Sequence, residues 1–101
     1  MSGLDPQVHA PARLQLLSML STVSQAEFAT LRGALDVSDS VLSKHLTALG
    51  DAGYVRSRKG VHAGRRTTWV ELTTDGRRAL LAHVAALRRL IDVVDGGAPT
   101  P

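Results

Sequence analysis

From Ser38 to Thr47 the sequence places Ser38, Ser40, Ser43, Lys44 and Thr47 among the leucines 42, 46 and 49. At about 100° per residue the three leucines stack in one narrow sector, while Ser40, Ser43, Lys44 and Thr47 cluster roughly opposite. Short hydroxyls and a single lysine let a helix backbone approach a polar, anionic surface closely, donating and accepting hydrogen bonds as it does. A second constellation follows at once: Arg56, Arg58, Lys59, Arg65 and Arg66 put five cations within eleven positions. That density suits contact with phosphates irrespective of sequence.

Charge placement carries more information than the net value of +3 over 101 residues. Up to Tyr54 there are three Lys or Arg against five carboxylates; from Val55 to Ile91 there are nine against two. A chain so divided presents one positive region and calls for an anionic partner. Other chemistries find little support. The chain has no cysteine, so disulfides, thiolate metal sites and a Cys nucleophile are excluded. The four histidines (9, 45, 62 and 83) show no ligand spacing, and no metal or other cofactor is expected. No Gly-rich phosphate loop, paired carboxylates or nucleophile motif appears, so the protein is not expected to be an enzyme and no catalytic residue is assigned. With one Trp, one Tyr and one Phe, stacking on single-stranded or RNA bases is disfavoured. The opening "MSGLDPQVHA" lacks the basic start and apolar run of a signal peptide, and no apolar stretch approaches the ~20 residues needed to span a bilayer. The expected setting is cytoplasmic.

The elements that must hold these side chains read as follows. Residues 1–9 are expected as a flexible arm, residues 10–95 as one domain, and 96–101, ending "GGAPTP", as a disordered tail. A first helix should begin at Ala10–Pro11 and run through Leu14, Leu16, Leu17 and Leu20, Pro being tolerated in a first turn. Ser24 and Glu27 form a Ser-x-x-Glu capping box expected to open a second helix with Phe28, Leu31 and Leu35 on its buried stripe. "DVSD" then breaks the pattern, Ser38 caps the next helix, and Gly53 ends it in the left-handed region. The period changes to two in "YVRSRKGV" and "RTTWVELT", two strands separated by "HAGR", with Trp69 expected as a core anchor beneath them. Thr73, Thr74 and Asp75 introduce a last helix whose apolar positions 80, 84, 87, 91 and 94 make a heptad-like seam. Arg77, Arg78, Arg88 and Arg89 would form its polar face.

Helix, helix, turn, helix, β-hairpin, helix is the order of a winged helix-turn-helix: mainly α with a small β-hairpin wing. From Ala10 to Leu90 the sequence resembles the MarR/ArsR-like winged-helix transcriptional regulators. The residues that carry this are "AEFATLRGALDVSDSVLSKHLTALGDAGYV", Lys59, "GRR-T" across 64–67 and "LTTDGRRAL" at 72–80. The resemblance implies a sequence-specific regulator of double-stranded DNA, a repressor or activator, usually a homodimer. Residues 38–52 would then be the recognition helix in the major groove, with Ser38, Ser40, Ser43, Lys44 and Thr47 at base edges and phosphates. The wing at 56–67 would lie on backbone or minor groove through Arg56, Arg58, Lys59, Arg65 and Arg66. Alternate strand residues face opposite sides, so some of these five must miss the DNA. His45, on the flank of the leucine spine, would pack on the preceding helix or touch a phosphate. Leu87, Ile91 and Val94 lie beyond where a compact core should end and are expected at a dimer interface, with help from the first helix. A small-molecule effector, unidentified, could bind between dimer helices. The alternative is a winged-helix module that docks onto another protein without reading DNA; the basic wing argues for DNA.

Overall fold

The computed structural model describes residues 5–97. The elements in chain order are α1 (Pro6–His9), α2 (Pro11–Leu20), β1 (Ala26–Glu27), α3 (Phe28–Leu35), α4 (Asp39–Asp51), β2 (Val55–His62), β3 (Arg65–Leu72) and α5 (Thr74–Asp92), followed by a wide helical turn at Val93–Gly97. The strands form one antiparallel sheet in the order β1-β3-β2. This is the winged helix-turn-helix that the element order predicts.

Leucine spacing builds the core. Leu16, Leu17 and Leu20 of α2, Leu31 of α3, and Leu42, Leu46 and Leu49 of α4 close on Val55, Val70 and Leu80. Phe28, Leu35, Tyr54, Leu72 and Val84 pack around that cluster, half-buried. Helix α4 is defined by its ends. Ser38 Oγ accepts the Val41 N–H, and Gly53 takes a φ of +81°, the left-handed conformation that releases the chain into β2. Gly76 allows a close approach of backbone to backbone: a Cβ there would stand 2.1 Å from the Tyr54 carbonyl oxygen. Tyr54 O also accepts the Thr73 N–H, and Thr73 caps α5 through Gly76 N–H, so the root of the hairpin and the start of α5 are one joint.

Three expectations fail locally. The Ser24–Glu27 capping box does not form: Ala26 and Glu27 pair with Val70 and Trp69 as β1, and α3 begins at Phe28 without a side-chain cap. Sheet pairing satisfies the backbone there, which frees the Glu27 carboxylate for other partners. Trp69 is not beneath the wing in the core. Val70 takes the inward position, and Trp69 is half-buried on the opposite face, over Gly60 and edge-on to His62 at 5.5 Å. The expected flexible arm folds from Asp5 onward, where Asp5 caps α1 and Val8 is fully buried. Residues 1–4 of that arm and 98–101 of the expected tail lie outside the described residues.

Candidate nucleic-acid interface

Ser40, Ser43, Lys44 and Thr47 are all exposed on α4, opposite the buried Leu42, Leu46 and Leu49. Ser38 is exposed too, but its hydroxyl serves the cap and lies 3.2 Å from Ser40 Oγ. At the start of α4, Arg32 donates to Asp39 at 2.7 Å and ties α3 to α4 across the helix-turn-helix. The turn between the two helices places Asp36 in the left-handed region, with φ of 54°.

The hairpin registers Arg56 against Glu71, Arg58 against Trp69, Lys59 against Thr68, Val61 against Arg66 and His62 against Arg65. Directly opposed residues share a face and successive residues alternate, so the wing cations divide. Lys59 and Arg66 share the face of Val55 and Val70, the face turned toward α3 and α4. Arg56, Arg58 and Arg65 belong to the reverse face, Arg65 beside the tip. Contacts bear the division out. On the reverse face Arg56 donates to Glu71 at 2.8 Å, Arg58 donates to Gln25 at 2.6 Å, and Glu27 accepts from Thr67 and lies 3.5 Å from His62. On the near face a cleft of about 450 Å³ is lined by Asp39, Ser43, Leu46 and Thr47 of α4, Ser57, Lys59 and Thr68 of the hairpin, and Phe28 between them. A second cleft, about 690 Å³, continues past Phe28 and Ala29 to Val61 and Arg66.

Of the ten side chains expected at DNA, the structure therefore gathers Ser43, Thr47, Lys59 and Arg66 on one continuous surface, with Ser40 and Lys44 beside them on α4. Lys44, Lys59, Arg65 and Arg66 make no ion pair among the described residues, whereas Arg56 is already engaged with a carboxylate. Ser57 and Thr68 line the cleft without having been singled out in the sequence. Their signal was the two-residue period that also carries Lys59. The hairpin tip is a tight turn, Ala63 and Gly64 both with positive φ (52° and 76°), and the strands run to His62 and from Arg65 rather than leaving a four-residue loop.

His45 is half-buried and accepts a hydrogen bond from Arg13 Nε of α2, so it packs on the scaffold rather than on the groove side. Burial first, and then the Arg13 charge, hold its pKa below the ordinary histidine value. Among the described residues no cluster of three metal-ligating side chains occurs, and no helix is long and apolar enough to cross a membrane.

A hydroxyl-and-lysine helix flanked by a two-faced basic hairpin is the geometry of winged-helix DNA-binding domains, and the model of that family matches residues 12–91. The chain belongs to the winged helix DNA-binding domain family. An uncharacterized protein of Methanocaldococcus jannaschii, MJ0432, is 31% identical over 78 residues, 77% of this chain and 85% of that one. The structure of a transcriptional regulator homologue from Pyrococcus horikoshii OT3 superposes with a TM-score of 0.82 at 29% identity, covering 88% of each chain. The Mycobacterium tuberculosis transcriptional regulator MOSR, solved with DNA, shares the fold with a TM-score of 0.72 at 23% identity, over 98% of this chain and 71% of that one. The present chain is a winged-helix DNA-binding protein with the fold of transcriptional regulators.

Proposed function

We propose that this protein is a sequence-specific, non-enzymatic regulator that binds duplex DNA in the cytoplasm as a homodimer. The observation that carries the reading is the shared surface of Ser43 and Thr47 on α4 with Lys59 and Arg66 on the wing. Small hydroxyls let α4 lie close in a major groove, where Ser40, Ser43, Lys44 and Thr47 reach base edges. Lys59 and Arg66 meet the flanking phosphates, with Arg65 at the tip beside the adjoining groove. Arg56 and Arg58 hold the hairpin's reverse face and contribute little to DNA.

Assembly is supported by the end of α5. Leu87 is half-buried, but Leu90, Ile91, Val93 and Val94 are 46, 55, 67 and 82% exposed, an apolar strip that continues the seam past the core. A second copy would cover it, and a two-fold axis makes each contact count twice. Selection of bound duplexes from a random library tests the reading as a whole. An enriched palindrome is expected, and Ile91→Asp should give a helical monomer that binds it much more weakly. Recovery of no sequence preference would reduce the protein to a non-specific binder.

A further inference from the structure

Asp5–His9, expected from the sequence as part of a loose arm, connects the last helix to the DNA-reading helix through two histidines. On one side the Asp5 N–H donates to His83 Nδ1 at 3.3 Å, and the His9 ring lies 5.5 Å from that of His83. On the other, Gln7 Oε1 accepts from Arg13, whose Nε donates to His45 Nδ1 of α4 at 3.1 Å. Between them the Tyr54 hydroxyl donates to the Asp5 carboxylate, at the joint where α4 gives way to the hairpin. Val8 seats the turn in the core with no exposed surface.

We propose that Asp5 and Arg13, each hydrogen-bonded to the unprotonated Nδ1 of a histidine, are positioning residues that hold α4 and the wing root for DNA, and that acid releases them. The proposal rests on the DNA-binding reading above. Its physical basis is that both histidines act as acceptors. A proton on Nδ1 of His83 would turn an N–H against the Asp5 N–H and leave a charge in a fully buried ring, whose Nε2 has no hydrogen-bond partner among the described residues. A proton on His45 would face the Arg13 guanidinium.

The charged and titratable groups around His83 are Asp5, the cap of α1, and His9 at its end, with Tyr54 behind Asp5. The cation of α2, Arg13, is directed to Gln7 and His45. Burial, then His9, lowers the His83 pKa, and Asp5 opposes them more weakly. Tyr54 is pushed up to about 12, first by its hydrogen bond to Asp5, and stays a donor throughout. With both histidines lowered, the docked form holds fewer protons than the released form. Docking is therefore complete above the ordinary histidine value of 6.5 and is lost as pH falls below it.

The trend is opposite to that of simple charge attraction, which strengthens DNA binding as histidines gain protons. Affinity for the selected duplex, or for mixed-sequence duplex DNA, is measured between about pH 7.5 and 5.5, together with hydrogen exchange of the Val8 amide in the free protein. Affinity should fall with pH by up to about tenfold per histidine, the factor by which a free imidazole is protonated one unit below its pKa. Val8 should lose protection over the same range. His83→Gln and His45→Gln keep an acceptor without a titrating group and should each flatten their share of both profiles. Tyr54→Phe leaves the histidines intact and should move release to higher pH, which keeps the test available if a glutamine variant folds poorly. Val8 protection that is constant over this range overturns the proposal. So does affinity that rises on acidification equally in wild type and variants. Absence of DNA binding at every pH would instead sink the DNA-binding reading, while Val8 exchange still reports on the docking of Asp5–His9.

Discussion

The two faces of the wing carry similar arginine and lysine side chains and use them differently. On the reverse face Arg56 is paired with Glu71, Arg58 is held by Gln25, and Glu27 draws together Thr67 and His62. On the face beside α4, Lys59 and Arg66 make no ion pair among the described residues; Asp39 lines the cleft with Lys59 but is bonded to Arg32, and the hydroxyls of Ser43, Thr47, Ser57 and Thr68 complete that lining. A cation already neutralised within the protein releases few counterions on meeting a phosphate, whereas an unpaired one releases its full share. Of the reverse-face cations only Arg56 is neutralised by a carboxylate, while Arg58 is held by the neutral Gln25 amide and Arg65 makes no ion pair among the described residues. Pairing thus withdraws one wing charge, and side-chain anchoring restrains a second.

The largest expected effect comes from removing the unpaired charges. Lys59→Ala with Arg66→Ala should weaken binding to every duplex and lower the log–log salt slope by roughly two, one per lost phosphate contact. An unchanged slope would break the comparison outright. Lys44→Ala on the neighbouring helix should cost about 1–3 kcal/mol on the preferred site and less on random DNA, as titrations on both duplexes would show, if it reads a base edge. Equal losses on the two would move Lys44 into the class of Lys59 and Arg66.

Smaller effects sharpen the contrast without touching Lys59 or Arg66. Ala63 sits at a φ of 52° in the hairpin turn, a conformation that costs a residue with a Cβ about 1–2 kcal/mol. Ala63→Asn creates an Asn-Gly turn and should stabilise the fold by roughly 1 kcal/mol in denaturant melts, leaving the salt slope unchanged. Smallest of all on DNA should be Arg56→Ala with Arg58→Ala. The salt slope should move by less than that of one contact, and stability should drop only slightly, because an exposed pair is worth at most about 1 kcal/mol. A slope change as large as that of the Lys59/Arg66 variant would erase the distinction between the faces.

Much of this was legible in one dimension because it depends on local periods. The 3.6-residue spacing of Leu42, Leu46 and Leu49 fixes which side of α4 is free, and Ser38 marks where the helix begins, since cap and spine both act within one or two turns. The two-residue period of the hairpin likewise states that its cations must divide. Tertiary contacts decided which half faces α4, because only the packing of Val55 and Val70 on the leucine core turns Lys59 and Arg66 that way. They also overrode a local signal. Ser24 and Glu27 match a capping box, but strand pairing with β3 satisfies the same backbone and sends the Glu27 carboxylate to the wing. Nothing near residue 5 announces that Asp5 will meet His83, 78 positions away, or that Tyr54 will donate to it. The sequence by itself determined the main helices, the hairpin and the chemistry of their surfaces, through interactions a few residues long, but not α1 or β1. The tertiary structure alone decided which charges are neutralised, which histidines become acceptors, and where the N-terminal turn docks, because each depends on side chains that only folding brings within hydrogen-bond reach.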